Sequence, residues 1–227
     1  EFTIKKSKLR GVESYGMICA EDEIGVGTDH AGIIVLPDDA VVGTPAAEYY
    51  HLESDWVIDI DITANRADAL SHYGVARDLY AWLIQRGYKT SLHRPDCSRF
   101  HVDNNDLPIE VDIENHEACK RYACLSITDC DVKESPKWLQ DKLTVIGLRP
   151  INNIVDITNY IMMAYGQPMH CFDADMVKGH KIVVRTQPEG TEFITLDGQK
   201  HILGEHDLSI CNAEEPMCIA GVFGGKG

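Results

Sequence analysis

The chain has 227 residues, 44% hydrophobic and 25% charged, with a formal net charge of −15. That balance suits a folded chain long enough for one large domain or two small ones. The acidic sum argues against a general nucleic-acid binder, and no apolar run approaches the ~20 residues that span a bilayer. The start, EFTIKKSKLRG, lacks the apolar core of a secretory signal, and both ends read as cut from a longer protein.

Residues 1–50 are expected to be β-rich, because short apolar runs (16–20 and 32–36) alternate with Gly, Asp and Pro turns. Lys5, Lys6, Lys8 and Arg10 form a basic cluster, most simply a solvated edge strand. WVIDIDI, from Trp56 to Ile62, alternates as a strand does. The spacing from Ala67 to Gln85 predicts a helix, with Gly87 as its stop. Residues 88–107 have no clear period, and a linker is expected there, at 91–107.

From Pro108 onward the pattern is α+β. Ile109–Ile113 and Tyr122–Cys130 read as strands. Ser135-Pro136 reads as a helix start, Ser as N-cap and Pro as first helical residue, with Trp138, Leu139, Leu143 and Ile146 facing inward until Gly147. Short strands are expected at 181–185, 192–196, 201–203, 208–211 and 217–223, with Asp197-Gly198 as a hairpin turn. There is no internal repeat and no low-complexity tract.

Between the last helix and those strands lies the most informative stretch, PINNIVDITNYIMMAYGQPMHCFD (Pro150 to Asp173). Ile154, Ile157, Ile161 and Ala164 predict one apolar helical face, with Asn153 as N-cap and Gly166 as the residue that ends the helix. Asp156, Asn159, Tyr160 and Met163 fall on another face. Pro168 places His170 on a loop beyond the helix. So many hydrogen-bonding groups in an apolar segment either satisfy one another or await a ligand, since each costs roughly 1–3 kcal/mol if buried unpaired. Spacing alone favours mutual tethering.

Other chemistries are poorly supported. The eight cysteines contain no CxxC pair and read as reduced, mostly buried thiols; Cys119 with Cys124, and Cys211 with Cys218, are the pairs a metal would use, and no metal site is expected. Gly221 to Gly227 is Gly-rich without the phosphate-loop spacing, so it reads as either a plain turn or a place where a ligand lies against the backbone. Cys171 follows His170 directly and would point away from it, which discounts a nucleophilic pair. His170 and Asp173 lack a third metal ligand nearby. What remains is a polar pocket for a small molecule.

KLRGVESYGMICAEDEIG (8–25), DITANRADALSHYGVARDL (61–79), RPINNIVDITNYIMMAYGQPMHCFD (149–173) and TLDGQ through IAGVFGG (195–225) together resemble the β subunit of bacterial phenylalanyl–tRNA synthetases, along almost the whole chain. The resemblance implies an interior fragment of mixed α+β, multi-domain character. Residues 1–52 would be the C-terminal part of an OB-fold-like tRNA-binding domain and 53–90 a B1 segment. Residues 91–107 would be the linker and 108–227 a B3/B4 editing domain, truncated at its C-terminus. It implies a cytoplasmic (αβ)₂ ligase with an α-subunit partner, tRNA(Phe) as nucleic-acid partner and no membrane. ATP and Mg²⁺ would belong to the complete enzyme and no cofactor to this fragment.

The editing domain of such enzymes hydrolyses tRNA charged with tyrosine. Carried over by position, His170 is the catalytic candidate, as the group that orients water. Thr158, Asn159, Arg149 and Gly224 are the substrate-binding candidates. Asn159 and His170 would line the aminoacyl site, Arg149 would face the terminal adenosine or the ester, and Gly224 would form the floor under a tyrosine or tyrosyl group. The acidic residue that reads the tyrosine hydroxyl in the family lies beyond the last residue here. The chemistry is coherent. An apolar pocket rejects an added hydroxyl by only ~10²-fold, whereas a second site that hydrogen-bonds the hydroxyl discriminates by roughly 10⁴–10⁵. The alternatives are a tRNA- or peptide-binding module without chemistry, and a purely structural domain in which Asp156, Asn159 and His170 are all paired internally.

Overall fold

The computed structural model describes residues 4–52 and 55–226 and divides the chain into two compact units, Glu1–Trp56 and Val57–Gly227. The boundary expected after residue 52 falls outside the described residues, as does Gly227 of the terminal glycine run.

In the first unit, β1 (Ser7–Leu9) and β2 (Val12–Ser14) form an antiparallel hairpin in the register Leu9↔Val12. Its two-residue turn holds Arg10 at φ 48° and Gly11 at φ 86°, the paired positive dihedrals that twist such hairpins correctly. Lys6 pairs with Glu13 at 2.9 Å on the exposed ribbon and lies 4.9 Å from the Tyr15 ring centre. The strands expected at 16–20 and 32–36 do not form. Ile34 N–H donates to Cys19 C=O at 2.9 Å, but a single bond is not a ladder. A four-residue helix, α1 (Ala46–Tyr49), follows Pro45 and was not expected.

WVIDIDI also remains outside any strand, with Trp56 93% exposed. Its alternation is real, but among the described residues no strand pairs with it. The helix expected from Ala67 begins later. Ala67–Ala69 is one 3₁₀ turn, and α2 (His72–Gln85) starts after Ser71, whose Oγ accepts from Gly74 N–H at 2.9 Å. Arg66 bonds Asp68 and Asp78, and Arg77 bonds Asp68, so the 3₁₀ turn is strapped to α2. It sits so close that a Cβ on Gly74 would fall 2.4 Å from the Asp68 carbonyl oxygen.

Next come β3 (Glu110–Ile113), α3 (Lys137–Val145) and α4 (Asn153–Tyr165). They are followed by β4 (Lys181–Thr186), β5 (Thr191–Ile194), β6 (Lys200–Leu203), β7 (Leu208–Cys211), β8 (Pro216–Ile219) and β9 (Phe223–Gly224). One sheet has the order β3-β4-β7-β8-β9, with β3 parallel to β4 and the other neighbours antiparallel. Parallel neighbours need a long crossover, and here it contains α3 and α4. Val177, Ile182 and Val184 form the buried centre of one sheet face, covered by Val111, Ile113, Ile210, Tyr122 and Phe172 among others. Tyr122–Cys130 supplies that tyrosine but is not a strand, and Leu125 and Ile127 face water. The strand expected at 217–223 is split by a tight turn, where Gly221 takes φ 71° and Val222 N–H donates to Ile219 C=O at 3.0 Å. β5 and β6 pair across Asp197-Gly198 as expected, with Gly198 at φ 80°. Of the eight cysteines only Cys211 and Cys218 are buried, fewer than expected, because only β7 and β8 turn thiols into closed layers.

Both helices of the crossover differ in detail from their sequence pattern. Ser135 does not cap α3. Its hydroxyl donates to the Asp156 carboxylate on α4, whose other oxygen accepts from Ile151 N–H at 2.9 Å. Leu139 and Leu143 are buried as expected, but Trp138 is 57% exposed and sets its ring edge-on to Tyr160 of α4. Asn152, not Asn153, caps α4, its Oδ1 accepting from Ile154 and Val155 N–H. Asn153 instead bonds the 131–133 segment through both its backbone and its amide. Gly166 ends α4 at φ 77°. The expected apolar face is not the inward one. Ile157 is 48% exposed while Asp156 has no exposed surface.

Replacing Asp156 with Ala strands a buried hydroxyl and a backbone N–H. Asp156→Ala is therefore expected to lower stability by about 3 kcal/mol, seen as a lower urea midpoint by circular dichroism. Asp156→Asn, which keeps an acceptor, should lose less.

Candidate functional site

Gly166 and Pro168 stop α4, and the chain enters the loop that carries His170. The loop is anchored at its far end. Asp173 Oδ1 accepts from Asp175 N–H at 3.1 Å, capping the 3₁₀ turn Ala174–Met176, and Phe172 packs into the sheet core. The His170 ring meets the Phe172 ring edge-to-face, with centroids 4.7 Å apart at 61°.

The imidazole also lies against Gly224 of β9. A Cβ there would sit 2.7 Å from His170 Cε1, 3.2 Å from Nε2 and 2.9 Å from Leu196 Cδ1. Gly224 is thus required by a close approach of side chains and not by its dihedrals. Its carbonyl accepts from Leu196 N–H at 3.0 Å, and Thr195 bridges Gly225, so the β5–β6 turn and the β8–β9 hairpin are tied together beneath the histidine.

Neither ring nitrogen of His170 has a hydrogen-bond partner among the described residues. Part of the residue stays exposed, and burial of the rest holds its pKa below the ordinary value, so the imidazole is neutral at neutral pH. A neutral ring nitrogen without a hydrogen-bond partner can accept a proton from a water. The adjacent Cys171 has its thiol pushed up, by burial first and by Cys130 second, so a reactive thiolate is disfavoured.

The remaining candidates are placed as follows. Thr158 Oγ1 donates to Val155 C=O at 2.7 Å within α4, which leaves its oxygen able to accept. Asn159 is half-buried and its amide has no partner among the described residues. Arg149 is exposed in the turn between α3 and α4, also without a hydrogen bond or ion pair among the described residues. The structure therefore brings His170 and Gly224 into contact. No hydrogen bond or ring contact joins Arg149, Thr158 or Asn159 to them. Asp156 is a frame residue, as is Asp173. Phe172 and Leu196 were missed by the sequence reading. The signal for Phe172 was its two-residue spacing from His170, which in extended chain puts both side chains on one side.

A depression of about 370 Å³ lies elsewhere in this unit, lined by Glu114, Asn115, His116, Glu117, Arg185 and Thr186. Among the described residues no cluster of three or more His, Cys, Asp or Glu side chains is placed to hold a metal ion. No described helix is long and apolar enough to cross a membrane.

Residues 118–227 match the B3/4 domain family. Over 224 residues, 99% of its length, the chain is 65% identical to the phenylalanine–tRNA ligase beta subunit of Bacteroides fragilis and covers 27% of that protein. It is 66% identical over 224 residues to the subunit of the same name from Bacteroides thetaiotaomicron, again 99% of this chain and 27% of the relative. To that of Porphyromonas gingivalis it is 57% identical over 226 residues, 99% of this chain and 28% of the relative. The chain thus spans little more than a quarter of the length of the curated relatives it matches.

The close approach at Gly224 makes it a sensitive position. Gly224→Ala is expected to push the imidazole and the Leu196 tip aside, destabilising by about 1 kcal/mol. Gly204→Ala, where a Cβ would meet Asp207 at an ordinary 3.7 Å, should be near neutral in the same thermal or urea unfolding series.

Proposed function

We propose, for a chain that belongs over 99% of its length to the phenylalanine–tRNA ligase beta-subunit family and matches the B3/4 domain over residues 118–227, that this region hydrolyses tRNA(Phe) mischarged with tyrosine. The observation that carries the reading is His170: a neutral imidazole fixed over the Gly224 backbone, with both ring nitrogens free of partners among the described residues.

In this reading His170 takes a proton from, or orients, the water that attacks the tyrosyl ester. Asn159 offers its unengaged amide to the aminoacyl group, and Thr158 offers the acceptor side of a hydroxyl already anchored to Val155. Arg149, a free cation on the turn before α4, faces the terminal adenosine or the ester. Gly224 gives a floor without a side chain. The developing oxyanion needs donors aimed at it, and the Asn159 amide and nearby backbone N–H groups are of the right kind.

The same proposal assigns residues 1–52 to an OB-fold-like piece, 53–90 to a B1 segment, 91–107 to a linker and 108–227 to the editing domain. It takes an α subunit and tRNA(Phe) as partners and the cytoplasm as the compartment. ATP and Mg²⁺ serve the synthetic site of the complete enzyme, and no step here runs through them. A second reading, a tRNA- or peptide-binding module without chemistry, is favoured by one observation: a depression of about 370 Å³ lies away from His170.

Deacylation of preformed Tyr-tRNA(Phe) by the complete enzyme separates the two. His170→Ala is expected to slow it by about 10²-fold or more, with attachment of phenylalanine retained; wild-type deacylation would sink the assignment. The pH profile gives an independent check. His170 acts as the neutral base, and burial lowers its pKa, so activity falls only as pH drops through that lowered value. The acid limb should therefore lie below about 6.5 and vanish in His170→Ala.

A further inference from the structure

A base that works through one ring nitrogen needs its ring held at a fixed angle, and in most sites a hydrogen bond to the other nitrogen does this. His170 has no such bond among the described residues. Its ring meets apolar neighbours instead. One is the bare backbone of Gly224, with Leu196 alongside. Another is Phe172, whose ring meets the imidazole with centroids 4.7 Å apart, within the range of favourable edge-to-face pairs.

Of these contacts, Phe172 is the one fixed from behind. It is half-buried and packs against the cluster of Val177, Ile182 and Val184, the last two of which lie in the middle of β4. Leu196, by contrast, is 59% exposed. The histidine's orientation is thus referred to the rigid sheet and not to the loop that bears it. Asp173 caps the next turn and holds the backbone on the far side of Phe172, so the phenyl ring has little freedom to follow the imidazole.

We propose that Phe172 is a positioning residue: through ring-to-ring contact it holds the His170 imidazole over Gly224 in the orientation that hydrolysis requires. This rests on the reading of His170 given above. Phe172 touches neither ester nor water in that reading, so its effect passes entirely through His170. A flat edge is needed for this, and an aliphatic side chain of similar volume fills the core without supplying it.

The test uses the complete α/β enzyme, with Tyr-tRNA(Phe) deacylation and phenylalanine attachment measured side by side. Phe172→Leu is expected to lower the kcat of deacylation by about 10- to 100-fold, the scale set by small misplacements of a catalytic group, with KM unchanged. Phe172→Met, which also keeps the volume, should match it, and Phe172→Tyr, which keeps the ring, should restore most of the rate. In a His170→Ala background Phe172→Leu should cost nothing further, because the two residues act as one unit. Wild-type kcat in Phe172→Leu overturns the proposal. So does an equal loss in the wild-type and His170→Ala backgrounds, or failure of Phe172→Tyr to rescue, since these mark plain core packing. Wild-type deacylation by His170→Ala removes the editing role of His170 and the proposal with it. Loss in His170→Ala alone overturns the Phe172 proposal and leaves the editing role standing.

Discussion

A carboxylate with no exposed surface has to find all of its hydrogen bonds inside the protein, and Asp156 finds them in two places at once. One oxygen takes the hydroxyl of Ser135, just before α3, and the other takes the backbone N–H of Ile151, in the turn before α4. Its own N–H bonds Asn152, the residue that caps the helix. A single side chain therefore ties the start of one helix, the turn and the start of the next into one unit. Buried charge-assisted bonds of this kind are costly to break, because each broken one leaves a stranded polar group behind. The parallel pairing of β3 with β4 forces a long crossover, and this knot gives that crossover a fixed shape. Arg149, Thr158 and Asn159 all sit within a few residues of it.

A second constraint works from the sheet side. β9 approaches the His170 loop closely enough that a side chain at 224 would displace the imidazole or the Leu196 tip. The same glycine's carbonyl holds Leu196, and Gly225 bridges Thr195, so two hairpins converge under the imidazole. Phe172 connects that point to the buried centre of the sheet. The candidate site is thus a loop histidine held against core elements, with no hydrogen-bond partner for either ring nitrogen among the described residues. Partial burial keeps it neutral without silencing it, which is the state a water-activating imidazole needs.

Much of this was visible in the residues. The excess of polar groups between Asn152 and Asp173 marked the segment that organises the crossover, and the Gly-rich run after β8 marked a place of close approach. The turn residues Gly166, Asp197-Gly198 and Gly221 stand where their backbone freedom is used, although Gly221 broke a run that alternation had joined. Errors came where alternation was read as pairing. Trp56–Ile62 and Tyr122–Cys130 have the strand pattern but no adjacent ladder, and a strand exists only with a partner. The helical face was misread for a related reason. Ile154, Ile157 and Ile161 have the correct period, yet the buried position is Asp156, because the space beside α3 was filled by a hydrogen-bonded carboxylate and not by an isoleucine.

The sequence by itself determined local grammar and kinship: where the longer helices stop, which turns need glycine, and that long motifs match the phenylalanine–tRNA ligase beta subunit over nearly the whole chain. It could not decide which polar groups were partners and which were free. Asp156 and Asn159 lie three residues apart on one helix and looked equivalent, but one is saturated by Ser135 and Ile151 and the other has no partner among the described residues. The resemblance grouped His170 with Gly224, more than fifty residues away, but only the fold set the imidazole against that glycine and Phe172 against the imidazole. Those facts depend on which distant segments the sheet and its crossover press together, and saturation of a hydrogen-bonding group is a property of its neighbours in space, not of its neighbours in the chain.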